Sequence, residues 1–242
     1  MIKTIKKYYK LFFNILNLPV LNVEFKGLDR SNYDIYIRTY DFFTRQHRLK
    51  IFKNKTIGVA LLVVEDFLDF DGYYKSINGK NSAAYYSRKS IKRGYSFTEI
   101  DLNDHIDDAF EINTSVKLRQ GREMTDKYLT KQKEYVRNEN YRHFGVFNSD
   151  GKLMSYCSVA FFGQFISIDK LLGHKEYLND GIMYFMLIEL NRIIFNEMKA
   201  IGFKFVMYDT FFGASDGLKL FKKKLGFKPY KVNWILERKI DN

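Results

Sequence analysis

The stretch from Phe161 to Leu236, FFGQFISIDKLLGHKEYLNDGIMYFMLIELNRIIFNEMKAIGFKFVMYDTFFGASDGLKLFKKKLGFKPYKVNWIL, decides the fold. Its first ten residues read as a strand, and LLGHKEYLND, 171–180, as a polar loop. A long amphipathic helix is expected from Gly181 to Ala200, with apolar residues recurring at helical spacing. A short strand, Phe203 to Tyr208, leads into the polar turn DTFFGASDG. A second helix, GLKLFKKKL, stops at Gly226 before Pro229, and a last strand runs to Ile235.

Upstream, YSFTEIDL (95–102) reads as a strand. Asn103 or Asp104 caps a helix to Thr114, and a second helix is expected from Thr125 to Asn138. A strand from Arg142 to Phe147 turns through Asn148-Ser149-Asp150-Gly151, a hairpin signal, into a returning strand, Lys152 to Phe162. Small and apolar residues dominate that returning strand, as in the centre of a sheet. From Tyr95 onward the order is therefore β-α-α-β-β-β-α-β-α-β.

That order, closing on GLKLFKKKLGFKPY, resembles the GNAT superfamily of N-acyltransferases and the Fem-type peptidyltransferases that share its fold. The resemblance implies an α/β protein with a mixed central β-sheet flanked by helices over 95–242. Residues 1–94 would be an N-terminal extension or a degenerate second half. It implies an N-acyltransferase moving an acyl group from a thioester donor, coenzyme A or acyl carrier protein, to an amine such as an amino sugar, amino acid or peptide. Two alternatives stand beside it. One is a Fem-like transferase taking aminoacyl-tRNA; the other is a non-catalytic RNA- or membrane-binding module on the same fold.

In the family the loop before the long helix binds the donor's pyrophosphate through backbone N–H groups and the helix N-terminus. Gly173, His174, Lys175, Asn179 and Gly181 stand in that loop, but no G-x-G occurs, and Asp180 puts a negative charge where a phosphate would sit. Either Asn179 or Asp180 is an ordinary helix cap. The turn after the next strand follows a Fem-like progression in Asp209, Ser215, Phe221 and Lys222, with Ser215 as a further cofactor-binding residue. Lys222 falls where many acetyltransferases carry a tyrosine that protonates the departing thiolate. The acceptor-binding segment corresponds to NTSVKLRQGREM (113–124), where Arg119 and Arg122 suit bidentate recognition of a carboxylate or phosphate and Gln120 stands between them as a further substrate contact. Tyr208, at the strand end that the resemblance places beside the cleft, is a further substrate-binding candidate. Asp209, Asp169, His143 and His174 are the candidates for taking the amine's proton, with Asp209, Lys222 and His143 as the catalytic set.

Composition sets wider limits. The 242 residues carry a formal net charge of +12, which favours anionic partners without choosing among them. A single cysteine, Cys157, precludes an intrachain disulfide and fits a reducing cytoplasm. The four histidines, His47, His105, His143 and His174, have no metal-ligand spacing, so no metal is expected. The opening MIKTIKKYYKLFFNILNLP does not read as a secretory signal. Lys3, Lys6, Lys7 and Lys10 share one helical face, so residues 1–18 either pack on the domain or lie on an anionic membrane surface. IGVALLVVEDF is too short to cross a bilayer. A helix is expected to start after Asn81 or Ser82 and to end at Gly94. It carries Arg88, Lys89, Lys92 and Arg93 in a tyrosine-rich segment that would also suit RNA.

Overall fold

The computed structural model describes residues 15–27, 33–47, 53–119 and 122–237. In chain order these form β1 (Val20–Phe25), α1 (Tyr33–Thr44), β2 (Ile57–Val63), α2 (Phe70–Ile77), α3 (Ala83–Lys92), β3 (Ser96–Ile100) and α4 (Ile106–Thr114). A short hairpin follows, β4 (Leu118–Arg119) and β5 (Arg122–Glu123), then α5 (Asp126–Leu129), β6 (Tyr141–Phe147), β7 (Leu153–Phe161) and β8 (Phe165–Gly173). The chain continues through α6 (Ile182–Ile193), β9 (Phe205–Thr210), α7 (Asp216–Lys224) and β10 (Lys228–Leu236). From β3 onward this is the order expected from the sequence, with the short β4–β5 hairpin added between α4 and α5. The basic face read over residues 1–18, Lys3, Lys6, Lys7 and Lys10, lies outside the described residues, and no described helix is long and apolar enough to cross a membrane.

The main sheet runs β1-β10-β2-β9-β8-β7-β6-β3. It is mixed: β1 is parallel to β10 and β8 to β9, and the other neighbours are antiparallel. Residues before Tyr95 thus supply two strands of the same sheet. β2 enters between β9 and β10, antiparallel to both. β7 is buried along almost its whole length, as its small, apolar sequence requires of a central strand.

Alternation along the strands divides the core. In β2, Ala60 and Leu62 face one side and Val59 and Leu61 the other. The first side is filled by α6, whose Ile182, Phe185, Met186, Leu187, Ile188 and Leu190 are all buried. Each such side chain contributes about 1.5–3 kcal/mol when removed from water. The second side is covered at one end by α1, through Tyr36 and Phe43, and at the other by α4, through Ala109 and Ile112. Between those two covers the sheet stays open.

Three local readings change. The helix expected over Thr125–Asn138 stops at Leu129. Asn103 takes over the backbone beyond it, its Oδ1 accepting from Tyr135 N at 2.7 Å and its Nδ2 donating to Tyr135 O at 3.0 Å. Those are groups a helix would have needed for itself. The long helix is α-helical only to Ile193 and then widens into a π turn over Ile194–Met198. Its N-cap is neither Asn179 nor Asp180 but Gly181, at φ +88°. Gly94, at φ +82°, follows α3 in the left-handed conformation that glycine allows.

Candidate active site

β8 and β9 run side by side for only three ladder pairs, Phe165↔Phe205, Ile166↔Val206 and Ser167↔Met207. Beyond Ser167 the two parallel strands part into a fork. Each arm carries an irregularity there. On β8, Ser158 pairs with Lys170 and Val159 with Ile168, so Asp169 is an extra residue in the ladder. On β9, the partners of Val59 and Leu61 are Thr210 and Met207, again one residue too many. That arm holds Asp209 at φ +51°, the one non-glycine residue with positive φ among those described. Bulges of this kind re-aim side chains, and here each arm turns an aspartate toward the opening.

The fork lies on a cavity of about 460 Å³ between α1 and the α4–α5 region. Lys222 enters it from α7. Only 1% of this residue is exposed, and its Nζ donates to Tyr208 O at 2.7 Å and Thr210 O at 2.8 Å, while lying 4.5 Å from the centroid of the Tyr208 ring. Burial pulls its pKa down to about 8; Asp209 opposes that shift and Lys55 adds to it. Lys55 forms an ion pair with Asp209. A lysine so placed keeps a proton near neutrality yet releases it readily. Tyr208, lining the same cavity, has its hydroxyl pKa raised by burial.

Arg119 lines the cavity from β4. It donates from Nη1 to Gly173 O at 3.2 Å and from Nη2 to Ile112 O at 3.3 Å, while its Nε is buried without a hydrogen-bond partner among the described residues. Burial lowers its pKa, a sign of a guanidinium largely withdrawn from water. Four cations (Lys55, Arg119, Lys170 and Lys222) thus face two carboxylates, Asp169 and Asp209, in one cavity. The structure brings together Arg119, Tyr208, Asp209 and Lys222 from the sequence set. Gln120 lies outside the described residues, and Arg122 is described only as the β5 backbone paired with Arg119.

His143 stands apart from that group. It lies on β6 in an adjoining cavity of about 350 Å³, which shares Tyr128, Asp169 and Lys170 with the first. Its Nδ1 is 2.8 Å from Ser158 Oγ, and burial, helped by Lys170, lowers its pKa, so the ring is neutral near pH 7. Ser215 caps α7, its Oγ accepting from Leu218 N at 3.3 Å. Cys157 is fully buried with its thiol pKa raised by that burial, which leaves it inert.

The loop residues Gly173, His174, Lys175, Asn179 and Gly181 do not form a cradle open to phosphate. Helix α3 lies across the start of α6. Lys89 Nζ donates to Asn179 O at 2.6 Å, Ser90 Oγ to Asp180 O at 2.8 Å, and Tyr95 OH to Asp180 Oδ2 at 2.8 Å, with Arg93 pairing the same carboxylate. A Cβ on Gly181 would stand 2.4 Å from Tyr86 O. His174 Nε2 turns to Glu111 at 3.7 Å, and Lys175 N donates to Ser115 Oγ at 3.2 Å. The pyrophosphate of coenzyme A therefore does not fit at this helix start, where an internal carboxylate and its partners fill the space. Among the described residues no group of three His, Cys, Asp or Glu side chains could hold a metal.

No family model matches the sequence, and no curated protein matches it. Solved structures do resemble the backbone. The C-terminal domain of a lysylphosphatidylglycerol synthetase described as putative, from Agrobacterium fabrum, is 14% identical with a TM-score of 0.43 over 72% of this chain and 58% of that one. FemX is 10% identical with a TM-score of 0.48 over 72% and 59%. An aminoglycoside antibiotic 6'-N-acetyltransferase from Acinetobacter baumannii is 11% identical with a TM-score of 0.42 over 61% and 100%. The matched region thus spans less than two thirds of the length of the first two of these structures.

Lys55 was not found from sequence. It lies just before β2, and only the insertion of β2 beside β9 brings it to Asp209. No local pattern marks it. The aromatic wall of the second cavity was hidden by the helical reading of 125–138.

Proposed function

We propose that the protein is an acyltransferase that joins an activated acyl group to an amine at the fork between β8 and β9. The observation that carries this reading is the fork itself, with Lys222 buried at its opening between two re-aimed aspartates. The amine nitrogen attacks the acyl carbonyl carbon, a C–N bond forms, and the carbonyl π electrons move onto oxygen. The Lys222 ammonium is suited to stabilising that oxyanion and to giving a proton to the leaving group as its bond to carbon breaks. Asp169, shared by both cavities, is suited to accepting the amine's proton. The Lys55–Asp209 pair holds charge close to Lys222 without neutralising it.

The covered start of α6 favours a donor whose phosphates lie elsewhere. An aminoacyl ester of tRNA meets that condition, and the excess of cations in the fork cavity suits its terminal phosphates. An acyl group on a carrier protein is the second reading, favoured by the same covered helix. The test presents purified protein and a primary amine with a mixed aminoacyl-tRNA pool, an acyl carrier protein thioester or acetyl coenzyme A, and measures acylated amine by mass. Product from the tRNA pool alone is expected. Product from acetyl coenzyme A would overturn the donor reading, and consumption of no donor would overturn the transferase reading.

A further inference from the structure

The cavity beside His143 has a wall that the fork chemistry does not use. Residues 130–140 carry no regular secondary structure, yet they are fixed in place. Asn103 brackets Tyr135 with two backbone hydrogen bonds, and Arg137 Nη2 meets Asp101 Oδ2 at 2.7 Å. This segment brings Tyr135 and Glu134 opposite Tyr128, Tyr141 and Tyr156, with Asp169 at the junction to the fork. The Tyr156 hydroxyl is already occupied, donating to Asn113 Oδ1 at 2.8 Å, so that side chain offers its ring. The face of Tyr135 already receives a cation from the chain itself, with Lys170 Nζ 5.8 Å from its centroid. Tyrosine faces with nearby carboxylates attract ammonium groups.

Charge separates the two cavities. In the fork, four cations outnumber two carboxylates. In the tyrosine cavity, Glu134 and Asp169 balance Lys127 and Lys170, and His143 is neutral. An anionic donor is drawn to the first cavity, and a cationic acceptor meets no net repulsion in the second. From this we infer that the tyrosine cavity is the seat of the acceptor and that it takes a primary alkylammonium, delivered past Asp169 to the fork. This inference rests on the transferase reading for its purpose, but the binding it describes stands alone.

The probe is 1,5-diaminopentane, titrated calorimetrically into the whole protein, with 1,5-pentanediol as its uncharged counterpart. The diamine is expected to bind and the diol not. Tyr135→Leu should weaken diamine binding about five- to tenfold through the lost cation–π contact, and Asp169→Asn by a similar factor through the lost carboxylate charge. Glu134→Gln, on the exposed wall, gives the same direction with less risk to folding, and circular dichroism checks all three. Equal binding of diol and diamine, or undiminished binding in all three variants, would sink the seat. Diamine binding with no transfer from any donor would leave the seat standing and remove the transferase. Transfer with an unchanged amine KM in Tyr135→Leu and Glu134→Gln would do the reverse.

Discussion

The start of α6 and the fork between β8 and β9 lie at the same end of the sheet, yet they are built in opposite ways. At the helix start the groups nearest the would-be phosphate are answered from within the chain: Asp180 by Tyr95 and Arg93, its carbonyl by Ser90, and the Asn179 carbonyl by Lys89. In the fork, a buried lysine, a guanidinium whose Nε has no partner among the described residues, and two aspartates, of which Asp209 pairs with Lys55, face a cavity. Internally satisfied charge contributes to holding a fold, whereas desolvated and only partly satisfied charge marks chemistry. Helix α3 is what turns the first place into structure and leaves the second as the site.

The contrast breaks most sharply at Lys222. Lys222→Met should lower transfer by roughly 10²–10³-fold, the usual loss on removing an oxyanion donor. Far-ultraviolet circular dichroism should be unchanged. A loss under threefold would remove Lys222 from the reaction. At the sealed end, Gly181→Val should destabilise the fold by about 3 kcal/mol, combining left-handed strain with the collision at Tyr86 O. The midpoint of urea unfolding reads this, and a variant as stable as the parent would mean that α3 is not seated there.

Asp180→Asn should cost about 1 kcal/mol by urea unfolding, because Arg93 is half exposed, and should leave transfer unaltered. Burial works to raise the Asp180 pKa, but the Tyr95 and Arg93 contacts outweigh it and the net shift is downward. The stabilising contribution is therefore present above the ordinary aspartate range and fades as pH falls through the lower folded value. A pH–stability profile identical in Asp180→Asn would argue against it.

The finest distinction is in pH. Lys222 has a folded pKa of about 8, below its ordinary 10.5, so the unfolded chain binds more protons between those values. Stability contributed by this site should rise with pH across that window, and Lys222→Met should flatten the rise. Transfer should fall above pH 8 as the ammonium is lost, and Lys222→Arg should move that limb beyond the measured range. A limb unmoved by the arginine would belong to another group.

Much of this arrangement is legible in the sequence because it is local. The Asp150-Gly151 turn, the α7 helix ending before Gly226, and the strand-helix-strand order of the last third follow from patterns a few residues long. The approach of Arg119, Tyr208, Asp209 and Lys222 follows from the family resemblance. What could not be read depends on distant partners. Asn103 holds the backbone of Tyr135, 32 residues away, out of a helix, and the slot filled by β2 decides that Lys55 meets Asp209. The loop before α6 was expected to face the donor because nothing in its own residues shows that α3 lies over it.

The insertion of β2 between β9 and β10 also sets an order of events during synthesis. Residues 57–63 leave the ribosome early and cannot make their native pairs until residues 205–236 follow them out. Until then the nascent sheet is a ribbon from β3 to β8, with an apolar strand waiting elsewhere in the same chain. Lys55 travels with that waiting strand and Lys222 with its late partners, so the fork becomes complete only at the last pairing. A chain caught before that step could hold the β3–β8 ribbon and α6 yet lack the assembled site.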